Sequence, residues 1–196
     1  PAAHQFVADF YHEHVDDRFL FHNFQHALDV LEATRRLSTG VPVGHQEAEL
    51  LELTALFHDT GYDQGAAGHE DRSKNYARAF LEQQQYPEEL IQTVERLIEA
   101  TKVDHEPQDL LEMLIRDADY SHLGTELYWD RCSRVRQELL MTRKNFMPEE
   151  DWVQFELEFI TNHQYHTEVA RQLYYAGKQK NIKQLRKYQH RMQPGE

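Results

Sequence analysis

The sequence predicts an all-α protein on two observations: apolar residues recur at helical spacing along almost the whole chain, and alternating runs bounded by Gly or Pro are missing. Phe6, Val7 and Phe10 give a first helix its apolar face. A second helix is expected over about 24–37, with Asn23 as its N-cap and Gly40-Val-Pro42 as its stop. The third starts near Gln46, carries Leu50, Leu51, Leu53, Leu56 and Phe57, and ends near Gly61. A loop over 62–68 leads to a fourth helix over about 69–84, and Pro87 opens a fifth that runs to about Thr101. Pro107 precedes a sixth, through Leu110, Leu111, Met113, Leu114 and Ile115, that stops around Asp119-Tyr120. Beyond Gly124 the pattern gives a helix to about Arg143, another over about 148–160, and a last helical stretch from Thr167.

At 196 residues the chain can bury a core without disulfides or structural zinc, so 1–196 reads as one domain. Cys132 is the only cysteine, so a metal site must be built from imidazole and carboxylate, and the redox context reads as cytoplasmic. No run of about 18 apolar residues exists and no basic segment precedes an apolar one at the start, so neither a membrane span nor a signal peptide is expected. A net charge of −13 argues against duplex nucleic acid as a partner, because such binders need clustered cations to displace phosphate counterions. The same charge repels small anions, so a phosphate ester would need a metal and a few placed Lys or Arg. The basic run Lys178, Lys180, Lys183, Arg186, Lys187, Arg191 reads as a solvated helix face.

The chemistry sits in three separated segments. His58-Asp59, in Ala-Leu-Phe-His-Asp-Thr-Gly-Tyr (55–62), falls on the expected last turn of the third helix, its two side chains about 100° apart around the axis. They form one corner of a site. His22-Asn-Phe-Gln-His26 lies at the start of helix two and Asp117-Ala-Asp119 at the end of helix six. Two imidazoles and two carboxylates from these segments would leave room in an octahedral shell for two waters or substrate oxygens, which favours Mn, Fe, Co, Ni or Mg over tetrahedral zinc. One such divalent ion is the expected cofactor, and metal-assisted hydrolysis the expected chemistry. Ser or Cys nucleophile motifs, Gly-rich phosphate loops and dinucleotide fingerprints are absent.

This H…HD…D order on helices resembles the HD superfamily of metal-dependent phosphohydrolases over about residues 21–124, with helices 125–196 as additions packed on an HD-type bundle. Phe21-His-Asn-Phe-Gln-His-Ala-Leu-Asp-Val30 is also similar to the Tyr-His-Asn-x-x-His-Ala-x-Asp-Val stretch of cyclic nucleotide phosphodiesterases. The resemblance implies His26, His58, Asp59 and Asp119 as metal ligands, Asp119 being chosen over Asp117 because the family's ligand follows an alanine. It implies His22 as general acid, and His69, which resembles the His of a His-Glu pair in nucleotide-hydrolysing members, as a residue facing the phosphates. Where two-metal members carry a further histidine, this chain reads Ala100-Thr-Lys102. A mononuclear site is therefore expected, with Lys102 holding a substrate phosphate.

The function expected is hydrolysis of a small phosphate ester, a nucleotide or related monoester or diester. Two other readings stay open: a di-iron oxygenase on the same scaffold, and a non-catalytic module that senses metal or nucleotide. The expected partner is a small phosphorylated substrate, with homodimerisation left open.

Overall fold

The computed structural model describes residues 2–144 and 146–192, and these contain nine α-helices, two short 3-10 helices and no strand. The helices are α1 (Ala2–His14), α2 (Phe24–Ser38), α3 (His45–Phe57), α4 (His69–Gln83), α5 (Glu88–Glu99), α6 (Leu110–Asp119), α7 (Tyr128–Arg143), α8 (Glu149–Asn162) and α9 (Glu168–Met192). The 3-10 helices are Thr60–Gln64, after α3, and Tyr120–Gly124, after α6. Among the described residues no helix is long and apolar enough to cross a membrane.

Helix starts follow local chemistry. The Asn23 side chain accepts from the amides of Gln25 and His26, and Asp109 does the same for Glu112, so each satisfies amides that have no intrahelical partner. Helix α5 buries Ile91, Val94, Leu97 and Ile98 on one stripe, each worth about 2 kcal/mol of transfer from water. Helix α1 inserts Val7 and Tyr11 deepest, while Phe6 keeps 36% exposure and packs with its ring tilted against those of Phe57 and Phe80.

Two apolar clusters form. The first joins α1 to α6 around Leu37, Leu51, Phe57, Leu97 and Leu114, and the second joins α7 and α8 around Tyr128, Trp152 and Ile160. Helix α9 serves both: Ala170 and Tyr174 belong to the first, Ile182 and Leu185 to the second. It reaches the first by crossing the Tyr120–Gly124 turn backbone to backbone. A Cβ on Gly177 would sit 1.9 Å from the Gly124 carbonyl oxygen, and one on Gly124 would sit 2.3 Å from that of Tyr174.

One expectation about the C-terminal part needs correction. Lys178 is not on a solvated face; it is 4% exposed, donates to the His163 carbonyl and lies over the Tyr165 ring. The α8–α9 connection is docked as well, with Tyr165 buried and His163 against Tyr120. Burial and the neighbouring Lys178 push His163 down to about 3 from 6.5. Below about pH 6.5 the unfolded chain binds a proton that the folded one refuses. Stability is therefore lost as pH falls from about 6.5 toward 3, at up to about 1.4 kcal/mol per pH unit. His122, pushed down to about 4 chiefly by burial, acts in the same direction. Urea unfolding at stepped pH should show a shallower acid loss in His163→Gln; identical slopes in the two proteins would exclude this account.

Candidate metal centre

The Asn23 cap fixes the first turn of α2 and with it His26, whose ring is buried and tilted against Phe21 at 4.5 Å. His58 and Asp59 are not on the last turn of α3, as the sequence suggested. The helix ends at Phe57, His58 caps it, and Asp59 starts the turn into the 3-10 helix. That turn exists because Gly61 is pressed against the start of α4: a Cβ there would lie 2.0 Å from the His69 carbonyl oxygen. The Gly61 amide donates to Ser73 Oγ at 2.8 Å, and Arg72 donates to the Gly61 carbonyl at 2.8 Å and to that of Ala67 at 2.7 Å. The stretch expected as an open loop is thus laced to α4, which carries His69 to Asp59.

Four side chains converge. His26 Nε2 is 3.0 Å from Asp119 Oδ1, 3.4 Å from His58 Nε2 and 3.5 Å from Asp59 Oδ2. His58 Nε2 is 3.3 Å from Asp59 Oδ2 and 3.7 Å from Asp119 Oδ1. Donors sharing one ion through bonds of about 2.1 Å can be no more than about 4.2 Å apart; the three whose donor atoms all lie within 4.8 Å of one another are His26, His58 and Asp119, and Asp59 comes within that limit of the two imidazoles. Donor chemistry agrees. His58 Nδ1–H donates to the Ala55 carbonyl at 3.0 Å, which leaves the Nε2 lone pair of the neutral ring aimed at His26 Nε2. Two ring nitrogens facing each other beside two buried carboxylates want a cation between them.

The electrostatics say the same. Burial disfavours charge on His58, yet Asp59 and Asp119 outweigh it and lift the ring to about 9. Burial also works against the charges of Asp59 and Asp119, but the imidazoles hold both carboxyls below the usual range, Asp59 well below it. Without an ion, a proton stands in for positive charge at the centre of the cluster.

His69 joins from α4: Nδ1–H donates to the Ala66 carbonyl at 2.9 Å, and Nε2 lies 3.2 Å from Asp59 Oδ1. Burial would lower its pKa, but Asp59 raises it on balance. His22 sits one ring further out, stacked on Tyr62 with centroids 4.1 Å apart and planes 8° from parallel. Its Nδ1–H donates to Glu138 Oε1 at 2.5 Å, while Glu138 Oε2 accepts the amides of Phe21 and His22 at 2.8 and 3.0 Å. Glu138 is 4% exposed; burial resists its charge, but the His22 contacts keep its pKa below the ordinary value. A cavity of about 760 Å³ opens here, lined by His22, Tyr62, Glu138, Arg18 and Arg143.

Lys102 is not brought to the cluster. Its ammonium pairs with Glu99 at 2.7 Å and Asp71 at 3.5 Å in a separate groove that also holds Lys74. The Lys102 carbonyl accepts from Arg116, which fixes the chain after α5. Arg143, which also lines the cavity beside His22, has no carboxylate within ion-pair reach among the described residues, unlike Arg18 with its Asp16 partner. Asp117 is not part of this cluster. Its carboxylate accepts from the His166 amide at 2.8 Å and from the Thr167 amide and hydroxyl at 2.8 and 2.6 Å.

Glu138 and Arg143 went unrecognised in the sequence because both lie on α7, far along the chain from His22, with no motif around them. A family model described as HD domain matches residues 23–124, a span that holds His26, His58, Asp59, His69, Lys102 and Asp119 and stops short of Glu138. No curated protein and no solved structure matches the chain.

Proposed function

The chain belongs to the HD domain family, and from that membership and the geometry above we infer that it is a metal-dependent phosphohydrolase acting on a small phosphate ester, a nucleotide or related monoester or diester. The observation that carries the reading is the convergence of His26, His58 and Asp119, whose donor atoms all lie within 4.8 Å of one another, with Asp59 closing on both imidazoles. These four would hold one divalent ion of the Mn, Fe, Co, Ni or Mg kind. Such an ion supplies Lewis-acid polarisation of a phosphoryl oxygen and a lowered pKa for water.

The remaining work falls to side chains. As water adds to phosphorus and the ester P–O bond breaks, the departing oxygen needs a proton. His22 gives it from Nε2, since Glu138 occupies Nδ1. The Tyr62 stack and the two backbone bonds to Glu138 hold that ring against rotation. His69 orients Asp59 through its second oxygen, and Arg143 offers a cation to a phosphate entering the cavity.

Metal-replete protein incubated with nucleoside mono-, di-, tri- and cyclic phosphates should release phosphate or open a cyclic ester for at least one class. A compound that stabilises the loaded protein but stays intact on long incubation would favour sensing over hydrolysis. His22→Ala should lower kcat by ~10²–10⁴-fold with metal content unchanged. Glu138→Gln should produce a smaller drop together with a displaced pH–rate limb, whereas unaltered profiles in both variants would remove His22 from the proton path.

A further inference from the structure

A second cavity, of about 200 Å³ and also lined by His22, lies between the Tyr120–Gly124 turn, α7 and α8. Its walls are mostly apolar and aromatic. Tyr120 and Phe159 pack with centroids 5.9 Å apart, and Phe155, one helical turn from Phe159, stands 46% exposed at the edge. A polar group closes it: Glu156, 5% exposed, accepts the Tyr128 hydroxyl at 3.1 Å. Nothing in the metal cluster or the proton path uses these residues.

We propose that this cavity is the subsite for the ring of the substrate's leaving alcohol, and that it takes a heteroaromatic ring of the nucleobase class. Three observations point there. His22 lines both cavities, so a group seated here is joined to the atom that His22 protonates by a short span. The volume suits one ring system; whole drug-sized ligands fill about 300–1,000 Å³. Paired aromatic walls with a buried polar end suit a flat ring that carries an edge of donors and acceptors, since every base offers a π-face for stacking and Glu156 offers hydrogen-bonding capacity to the edge. An aliphatic alcohol would gain from neither feature. The subsite lies largely beyond the family-matched segment, on α7 and α8. Ring selection is therefore a property of this chain's own added helices.

The inference rests on the hydrolase reading for its place in catalysis, but its test does not. Adenosine, guanosine, cytidine, uridine and ribose, all without phosphate, are titrated into metal-replete protein and followed by saturation-transfer NMR and calorimetry. At least one nucleoside should bind with its ring protons most strongly saturated, and ribose should not bind. Phe155→Ala, at an exposed position, should weaken that binding about tenfold, and Glu156→Gln should reorder the nucleosides. Failure of all four nucleosides to bind folded, metal-replete protein would overturn the subsite, as would unchanged affinities in both variants. Nucleoside binding without turnover of any ester would retain the subsite and remove the hydrolase; turnover of glycerol phosphate without nucleoside binding would do the reverse.

Discussion

Asp59→Ala is expected to leave purification with less than about a tenth of the wild-type metal content and with turnover reduced by at least about 10³-fold, because both depend on the same carboxylate. Asp59 has two roles. Its Oδ2 faces both cluster imidazoles at 3.3 and 3.5 Å, and its Oδ1 faces His69 at 3.2 Å. Removing it takes away one donor and frees His69 from its partner at the same time. Thermal unfolding reports the metal loss without any substrate: wild-type protein should gain Tm on addition of Mn, in proportion to the logarithm of free metal over Kd, and the variant should not. Full metal content and full turnover in Asp59→Ala would refute the assignment of the cluster.

Asp117→Ala, two residues from a cluster member, is expected to do the opposite: retain metal and lose stability. Three donors, the amides of His166 and Thr167 and the Thr167 hydroxyl, end on its carboxylate, which is fully buried. Thr167 in turn accepts the Ala170 amide and caps α9. Truncation leaves these donors without a partner, at a cost of about 3 kcal/mol once the adverse burial of the carboxylate is discounted. For a chain of this length that is a fall in Tm of roughly 6–12 °C. Asp117→Asn, which keeps one accepting oxygen, should fall in between. Asp119→Ala should behave as Asp59→Ala does, so the two aspartates of Asp117-Ala-Asp119 separate into a stability phenotype and a metal phenotype. Equal metal loss in both variants would merge their roles.

The helices were legible because their information is local. Period, the Asn23 cap and the Gly and Pro breaks act within a few residues, and each expected element is present within a few positions of its place. The side-chain cluster was legible for another reason: its members come from helix ends, where short motifs such as His58-Asp59 carry both the donor groups and the turn. What stayed hidden depends on partners distant in sequence. Glu138 meets His22 across more than a hundred residues, and the departure of the chain into a 3-10 turn at Thr60 is set by contact between Gly61 and α4. Lys102 is the instructive case, because part of its signal was visible: Glu99 lies three residues upstream, at the spacing of a helical ion pair. The second carboxylate, from Asp71 on α4, was not visible, and together the two acids take the lysine out of contention.

The bare backbone crossing at Gly124 and Gly177 bears on how distant kin of this protein can be recognised. With only 1.9 Å between a would-be methyl on Gly177 and the opposing carbonyl oxygen, neither position tolerates any side chain unless the two strips of chain move apart. The turn at this crossing directly follows Asp119, so such a shift would drag a member of the cation cluster with it. Descendants that keep the chemistry are thus expected to keep glycine at both positions, more than fifty residues apart, which makes a paired Gly–Gly signature the feature to look for in more distant sequences.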